Sequence, residues 1–362
     1  MNIVILGLSI TSSWGNGHAT TFRGLVRGLV RQGHDVCFLE RDVPWYRENR
    51  DLPNPPYGRT RLYRSLAQLK HHFAREVAEA DAVIVGSYVP QGIAVSEWVL
   101  HTAGGVTAFY DIDTPVTLAA LQRGRCEYLT SGLIPHFDVY LSFTGGPTLA
   151  HLERHYGSPM ARPLHCSVDP EVHYPQEEPI RWDMGYLGTY SDDRQPRLDQ
   201  LMLEPARRAP DLRFVVAGPL YPESIAWPGN CDRVEHLAPA QHRGFYAAQR
   251  FTLNVTRDDM IRAGYSPSVR LFEAAACGTP VISDYWDGLN SFLEIGSEIL
   301  VSHSPGETLE YLRDMPDEQR REIGRRSRQR ILREHTADCR AEQLVRYLRE
   351  AAGAKKAVSG RL

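Results

Sequence analysis

The chain has 362 residues, a formal net charge of −3 and ordinary globular proportions of hydrophobic (42%) and charged (23%) residues. Of its 41 basic residues only Lys70, Lys355 and Lys356 are lysines, so P-loop phosphoryl transfer and pyridoxal chemistry lack their lysine, and the cations that remain are arginine forks suited to phosphate oxygens. The near-neutral balance gives no reason to expect nucleic acid as a partner, and no apolar run approaches the roughly 20 residues of a membrane span.

The first apolar run, Asn2–Leu8, reads as a buried strand. Phe22, Leu25, Val26, Leu29 and Val30 then recur at helical spacing within 17–32, and Gly33 closes that helix. The pattern continues with strand Val36–Leu39, helix 61–79, strand Ala82–Val85, helix 92–102, strand Val106–Tyr110, strand Val139–Phe143 and a helix near 147–155. After the proline-punctuated stretch Pro163–Pro179 it restarts: strand Trp182–Leu187, helix 194–203, strands Phe214–Ala217 and Val234–Leu237, a helix from about 240, strand Phe251–Val255, helix 269–276 and strand Pro280–Ser283. Strands alternating with helices predict an α/β chain of two doubly wound, Rossmann-like domains facing across a cleft. The predicted boundaries are 1–165, 166–335 and a C-terminal helix and tail, 336–362, that packs back on the first domain. The N-terminus has no basic n-region or cleavage site, and the six scattered cysteines form no C-x-x-C; together they predict a cytoplasmic protein with free thiols. The Arg-rich stretch 317–334, with seven arginines and four acids, reads as a self-paired solvated helix.

Chemistry is expected where strands end. Gly15-Asn16-Gly17-His18 opens the first helix. It begins like a dinucleotide fingerprint but has Thr20 at the third glycine, with Glu40 ending the second strand where a ribose-binding acid would stand. The alternative is a glycine loop, Gly15, Asn16 and Gly17, that lets an acceptor approach the backbone, with His18 as a base or as an ordinary exposed histidine. Asp111 and Asp113 follow the apolar strand Val106–Tyr110 two residues apart, so they are expected to point the same way, as an acceptor-binding or base pair, a D-x-D metal pair or a cap for the helix opened by Pro115.

The most informative run is Leu253–Asp259 followed by Gly264–Ser283. Ser266 or Ser268 is placed to cap a helix whose buried stripe is Val269, Phe272 and Ala276. Arg270 and Glu273 share the other face. A cation in a first helical turn opposes the helix dipole unless an anion sits there, so a diphosphate on Arg270 and the free N–H groups, with Glu273 on the ribose, competes with a plain surface ion pair. Gly188, Arg194, Gly218 and Arg257 follow strand ends and are further candidates for the diphosphate and base.

Residues Glu273-Ala274-Ala275-Ala276-Cys277-Gly278-Thr279-Pro280-Val281 resemble the nucleotide-binding motif of glycosyltransferases with the two-domain GT-B fold. Ser167-Val168-Asp169-Pro170 with Tyr174-Pro175 resembles their interdomain segment, and Asp111–Pro115 with Leu253–Asp259 is most similar to the CgeB-like, spore-maturation-like group. The resemblance implies a donor half at the C-terminus with Glu273 on the ribose, an acceptor half at the N-terminus with His18 at the position of a base, and a nucleotide-diphosphate sugar as co-substrate with no metal and no other cofactor. The acceptor, be it glycan, protein or small molecule, is not specified. Tyr265 stands where retaining members carry the first Glu of E-x7-E, so that motif is incomplete, and His18 with the Asp pair favours inversion. A sugar-nucleotide 2-epimerase of the same fold and a non-catalytic nucleotide-sugar-binding protein are the competing expectations.

Overall fold

The computed structural model describes residues 1–15 and 17–359. The chain divides into two compact units, one formed by Met1–Cys166 with the C-terminal helix, the other by Ser167–Thr336.

In the first unit the order is β1 (Asn2–Gly7), α1 (His18–Arg31), β2 (Asp35–Arg41), α2 (Pro44–Arg47), β3 (Arg59–Tyr63), α3 (Leu66–Glu79), β4 (Ala82–Gly86), α4 (Gly92–Thr102), β5 (Val106–Asp111), α5 (Thr114–Gln122), β6 (Val139–Ser142), α6 (Pro147–Tyr156) and β7 (Ala161–Pro163). These strands form one parallel sheet in the order β3-β2-β1-β4-β5-β6-β7. Strands such as Ala82–Gly86 are buried along their whole length because both faces are covered, which is why they read as continuous apolar runs. One face carries Ile3, Ile5, Phe22, Leu25 and Ile84, the other Val4, Leu6, Val83, Val85 and Phe109. The stripe Phe22, Leu25, Val26 and Leu29 is buried. Gly33, at φ +79°, lets the chain reverse so that its N–H and that of His34 reach back to Val30 and Leu29 carbonyls. The C-terminal helix, Ala337–Ser359, adds Leu344, Val345 and Leu348 to the first of these faces.

The second unit contains β8 (Trp182–Leu187), α7 (Gln195–Leu198), one π turn (Asp199–Leu203), α8 (Glu204–Arg208), β9 (Phe214–Ala217), β10 (Cys231–Val234), α9 (Pro239–Ala247), β11 (Gln249–Asn254), α10 (Asp258–Ala263), α11 (Val269–Ala276), β12 (Val281–Ser283), β13 (Leu300–Val301), α12 (Pro305–Asp314) and α13 (Asp317–Glu334). Its sheet is also parallel, in the order β10-β9-β8-β11-β12-β13.

Three expectations are corrected. Residues 61–79 are not one helix, because Arg59–Tyr63 pairs with β2 as an edge strand and the helix starts after Ser65, whose hydroxyl accepts from the Gln68 N–H. The strand expected at 234–237 lies at Cys231–Val234, paired with β9. Helix α11 has no polar face, since Arg270 and Glu273 are buried along with Leu271, Phe272 and Ala274–Ala276. Among the described residues no helix is long and apolar enough to cross a membrane.

Candidate functional site

Each sheet has a point where its strand order reverses, between β1 and β4 in the first unit and between β8 and β11 in the second. Ligands of open parallel sheets sit outside the carboxyl ends of the strands at such points. Most of the candidate side chains lie at these two places.

In the first unit the loop after β1 is held from beneath. Glu40, fully buried at the end of β2, accepts from the Ile10 and Thr11 N–H groups at 2.7 and 2.9 Å and from the Thr11 hydroxyl at 2.6 Å. Its carboxylate is thereby committed to the loop, which removes the ribose acid that a dinucleotide reading needs. Asp51 fixes the same loop from outside, accepting from Ser13 and both terminal nitrogens of Arg23. Gly15 has φ +66° and Gly17 precedes α1; Asn16, the third residue of the expected acceptor loop, lies outside the described residues.

His18 opens α1, and its ring meets that of Tyr88, from the turn after β4, edge to face at 5.3 Å. Its Nδ1 is buried and has no hydrogen-bond partner among the described residues. Burial pushes the imidazole down to about 4, so it is neutral at pH 7 and its lone pair is available, although as a weak base. Tyr88 adopts φ +62°, unusual for a bulky residue, and its hydroxyl donates to Asp113 at 3.3 Å while its ring packs on Tyr128 at 4.5 Å. Tyr88 thus joins His18 to Asp113, and it was not legible as a site residue in the sequence.

The two aspartates do not act as a pair, contrary to the two-residue spacing. Asp111 is fully buried and accepts from the Tyr140 hydroxyl at 2.5 Å, the Thr117 hydroxyl at 2.7 Å and the Asp113 N–H at 3.2 Å. Burial pushes it up to about 6 against the downward pull of those donors. It serves as a bracket for the turn. Asp113 has left the extended conformation (φ −139°, ψ 47°), which sends its carboxylate to Tyr88.

In the second unit Arg270 bridges the reversal point. Its Nε donates to the Leu187 carbonyl at the end of β8 at 2.5 Å, its Nη1 donates to Asn254 Oδ1 at the end of β11 at 2.9 Å, and its guanidinium lies 4.4 Å from the centre of the Tyr186 ring. It is 7% exposed. Among the described residues it forms no ion pair with a carboxylate, Glu273 included. A buried cation with only neutral partners is costly unless an anion joins it. Ser268 does not cap α11 as expected, because its hydroxyl donates to Asn254 at 2.7 Å instead. Ser266 is buried beside it. Asn254 therefore gathers Arg270 and Ser268 on one carbonyl oxygen, and its role was hidden in the strand that the sequence showed.

Gly188 and Gly218 are required by close approach. A Cβ on Gly188 would lie 2.7 Å from Arg270 Nη2, and one on Gly218, at φ +142°, would lie 2.0 Å from the Gly188 carbonyl oxygen. Their N–H groups already donate to Ala217 and Val234, so the two glycines serve the close approach of Arg270 and of the neighbouring backbone rather than as donors. Arg194 turns to the Thr189 carbonyl at 2.6 Å. Arg257 lies 3.5 Å from Asp193. Arg194 is thus tied to its own loop, and Arg257 to the loop after β8.

Glu273, one turn beyond Arg270, faces a different neighbourhood. It accepts from the Tyr246 hydroxyl at 3.2 Å, with His242 Nδ1 at 3.5 Å and His173 Nε2 at 3.7 Å. Burial alone would raise its pKa, but the two imidazoles and the Tyr246 hydroxyl bring it down to about 2. Helix α13 pairs its arginines with its own acids, Arg321 with Asp317 and Arg325 and Arg326 with Glu322, as its charge pattern implied.

The fold is that of GT-B glycosyltransferases. Sucrose-phosphate synthase from Thermosynechococcus elongatus superimposes with a TM-score of 0.71 at 14% identity, over 98% of this chain and 100% of that one. An α-glucosyltransferase in complex with UDP-glucose and DNA containing an abasic site gives 0.71 at 12% identity, over 96% and 99%. Anabaena HepE in complex with UDP and glucose gives 0.69 at 12% identity, over 97% and 100%. Within the sequence, residues 194–346 match the family described as Glycosyl transferase-like, a stretch that contains Arg257, Ser268, Arg270 and Glu273. No curated protein sequence matches the chain.

Proposed function

We propose that the protein is a glycosyltransferase of the CgeB-like kind that moves a hexosyl group from a nucleotide-diphosphate sugar, a UDP-sugar in the first instance, to a hydroxyl-bearing acceptor. The observation that carries this reading is Arg270, buried at the β8/β11 reversal point with neutral partners only. A diphosphate supplies the missing negative charge and accepts from the guanidinium, and the same contact strengthens as charge builds on the leaving β-phosphate oxygen. Ser266 and Ser268 border the same place. Glu273 accepts ribose hydroxyls through lone pairs that Tyr246 leaves open.

In the transfer step a bond forms between the acceptor oxygen and the anomeric carbon, and the bond from that carbon to the β-phosphate oxygen breaks with its electron pair. The acceptor proton passes to Asp113 or to His18, the two bases that Tyr88 holds together. Arginine and peptide N–H groups stabilise the diphosphate, so no step calls on a metal ion. The 2-epimerase and the pure binding protein are separated by one experiment. The protein is incubated with UDP-glucose and UDP-N-acetylglucosamine, each alone and with candidate hydroxyl acceptors. Acceptor-dependent release of UDP supports the transferase. Interconversion of the sugar without acceptor, or binding with no release under any condition, refutes it.

A further inference from the structure

Three side chains far apart in sequence meet inside the second unit with no exchange of hydrogen bonds to account for their meeting. His173 comes from the segment before β8, its N–H bonded to the Asp169 carbonyl. His242 and Tyr246 lie one turn apart on α9, and Glu273 lies on α11. One donor atom from each of His173, His242 and Glu273 falls within 4.8 Å of the other two. His173 is 4% exposed, and neither of its ring nitrogens has a hydrogen-bond partner among the described residues.

The geometry sorts the explanations. His242 Nε2 lies 3.3 Å from the Leu237 carbonyl oxygen, where it can only donate. That leaves Nδ1 facing the Glu273 carboxylate, 3.5 Å away. His173 Nε2 faces the other carboxylate oxygen at 3.7 Å. Lone pairs pointed at an anion repel unless something positive lies between them. A proton shared in an N–H···O bond draws its atoms to about 2.7–3.2 Å. A tetrahedral ion with bonds of about 2.0–2.1 Å holds neighbouring ligand atoms about 3.4 Å apart, which the three donor atoms, within 4.8 Å of one another, reach by small side-chain adjustments. The outer contacts also suit a metal centre. The Leu237 carbonyl fixes the His242 tautomer, and the Tyr246 hydroxyl, at 3.2 Å, orients the carboxylate.

We propose that His173, His242 and Glu273 bind a divalent transition-metal ion, zinc by the chemistry of two imidazoles and one carboxylate, with water in the fourth position. The ion ties the segment before β8 to α9 and α11 and takes no part in glycosyl transfer. The inference does not rest on the nucleotide-sugar reading. Glu273 serves both, since a ligating carboxylate keeps a lone pair for a hydroxyl, but His173 and His242 belong to the metal alone.

The test uses the full chain, stripped with a chelator and titrated with Co²⁺ and then Zn²⁺. The expected result is one equivalent of Co²⁺ with the visible bands of a four-coordinate, thiolate-free site, displaced by Zn²⁺, and a melting temperature that rises with added Zn²⁺. His173→Ala and His242→Ala are each expected to weaken Co²⁺ binding at least 100-fold, and Tyr246→Phe about 10-fold. Should an alanine variant fail to fold, His173→Asn and the wild-type Co²⁺ spectrum decide in its place. Absence of stoichiometric Co²⁺ binding, a thiolate charge-transfer band from Cys277, or Co²⁺ binding that His173→Ala leaves intact overturns the site. UDP-glucose affinity measured on His173→Ala separates the two readings of Glu273. Metal lost with nucleotide retained supports the site, and nucleotide lost with metal retained rejects it while leaving the nucleotide reading standing.

Discussion

The two reversal points hold polar groups in opposite ways. In the first unit the buried charges are answered from within, Glu40 by two backbone amides and a hydroxyl, Asp111 by two hydroxyls and an amide. Beside them stand a neutral imidazole and a carboxylate linked through Tyr88. In the second unit the buried charge at the reversal point, Arg270, is answered among the described residues by a carbonyl, an amide oxygen and a ring face, and by no carboxylate. The first arrangement suits a group that must accept a proton without itself attracting an ion. The second is complete only with an anion present. Under the proposed function, one unit receives a neutral hydroxyl and the other a diphosphate.

The comparison breaks first at the proton acceptors. Asp113→Asn is expected to cut turnover of a UDP-sugar by about 100-fold to 10,000-fold, with nucleotide affinity unchanged, and His18→Gln by a smaller factor. Steady-state rates alongside calorimetric binding check this, and a loss of affinity in either variant would mean that the units are not divided as described. Arg270→Ala is expected to weaken UDP binding by about 30- to 100-fold, in line with about 2–3 kcal/mol for a charged hydrogen-bonded contact. A smaller effect is expected from pH. The imidazoles of His18 and His165 are both pushed down to about 4, by burial and, for His165, also by Arg340. The unfolded chain takes up these protons near 6.5, so stability falls as pH drops from about 6.5 to about 4 and is flat below. Each group contributes about 1–3 kcal/mol to that loss, and His18→Gln removes its share from a denaturant series run across this window. Smallest of all, Tyr88→Phe is expected to cost under about 1 kcal/mol in stability while detaching Asp113, which a shift of the acid limb of the pH–rate profile would report.

Much of the fold was written in the apolar runs. Strands Ala82–Gly86 and Phe214–Ala217 are buried along their whole length, and their sequences say so without help from neighbours. The edge strands were harder to see. Arg-Thr-Arg-Leu-Tyr at 59–63 and Cys-Asp-Arg-Val at 231–234 each pair on one side only, and exposure lets charges replace the apolar pattern. The site was legible as a set of residue types at strand ends, but not as a set of partnerships. Ser268 carries the signature of a cap, yet Asn254 competes for its hydroxyl from a strand 14 residues earlier. Arg270 and Glu273, at helical spacing, read as a ready ion pair, but Arg270 reaches Leu187 and Asn254 while Glu273 reaches Tyr246 and the two histidines. His173 and His242 gave no local signal at all, because their common partner lies on another helix.

The central claim is that Arg270 is a cation waiting for a diphosphate. Arg270→Met keeps the volume of the side chain and removes its charge, and both its melting curve and its UDP-glucose isotherm can be measured against the wild type. The expected free protein is as stable as the wild type or more so by about 1–4 kcal/mol, since a buried charge without a counter-ion is gone, together with at least a 30-fold loss of affinity for UDP-glucose. A variant that is markedly less stable when free, yet binds UDP-glucose as tightly as the wild type, would contradict it.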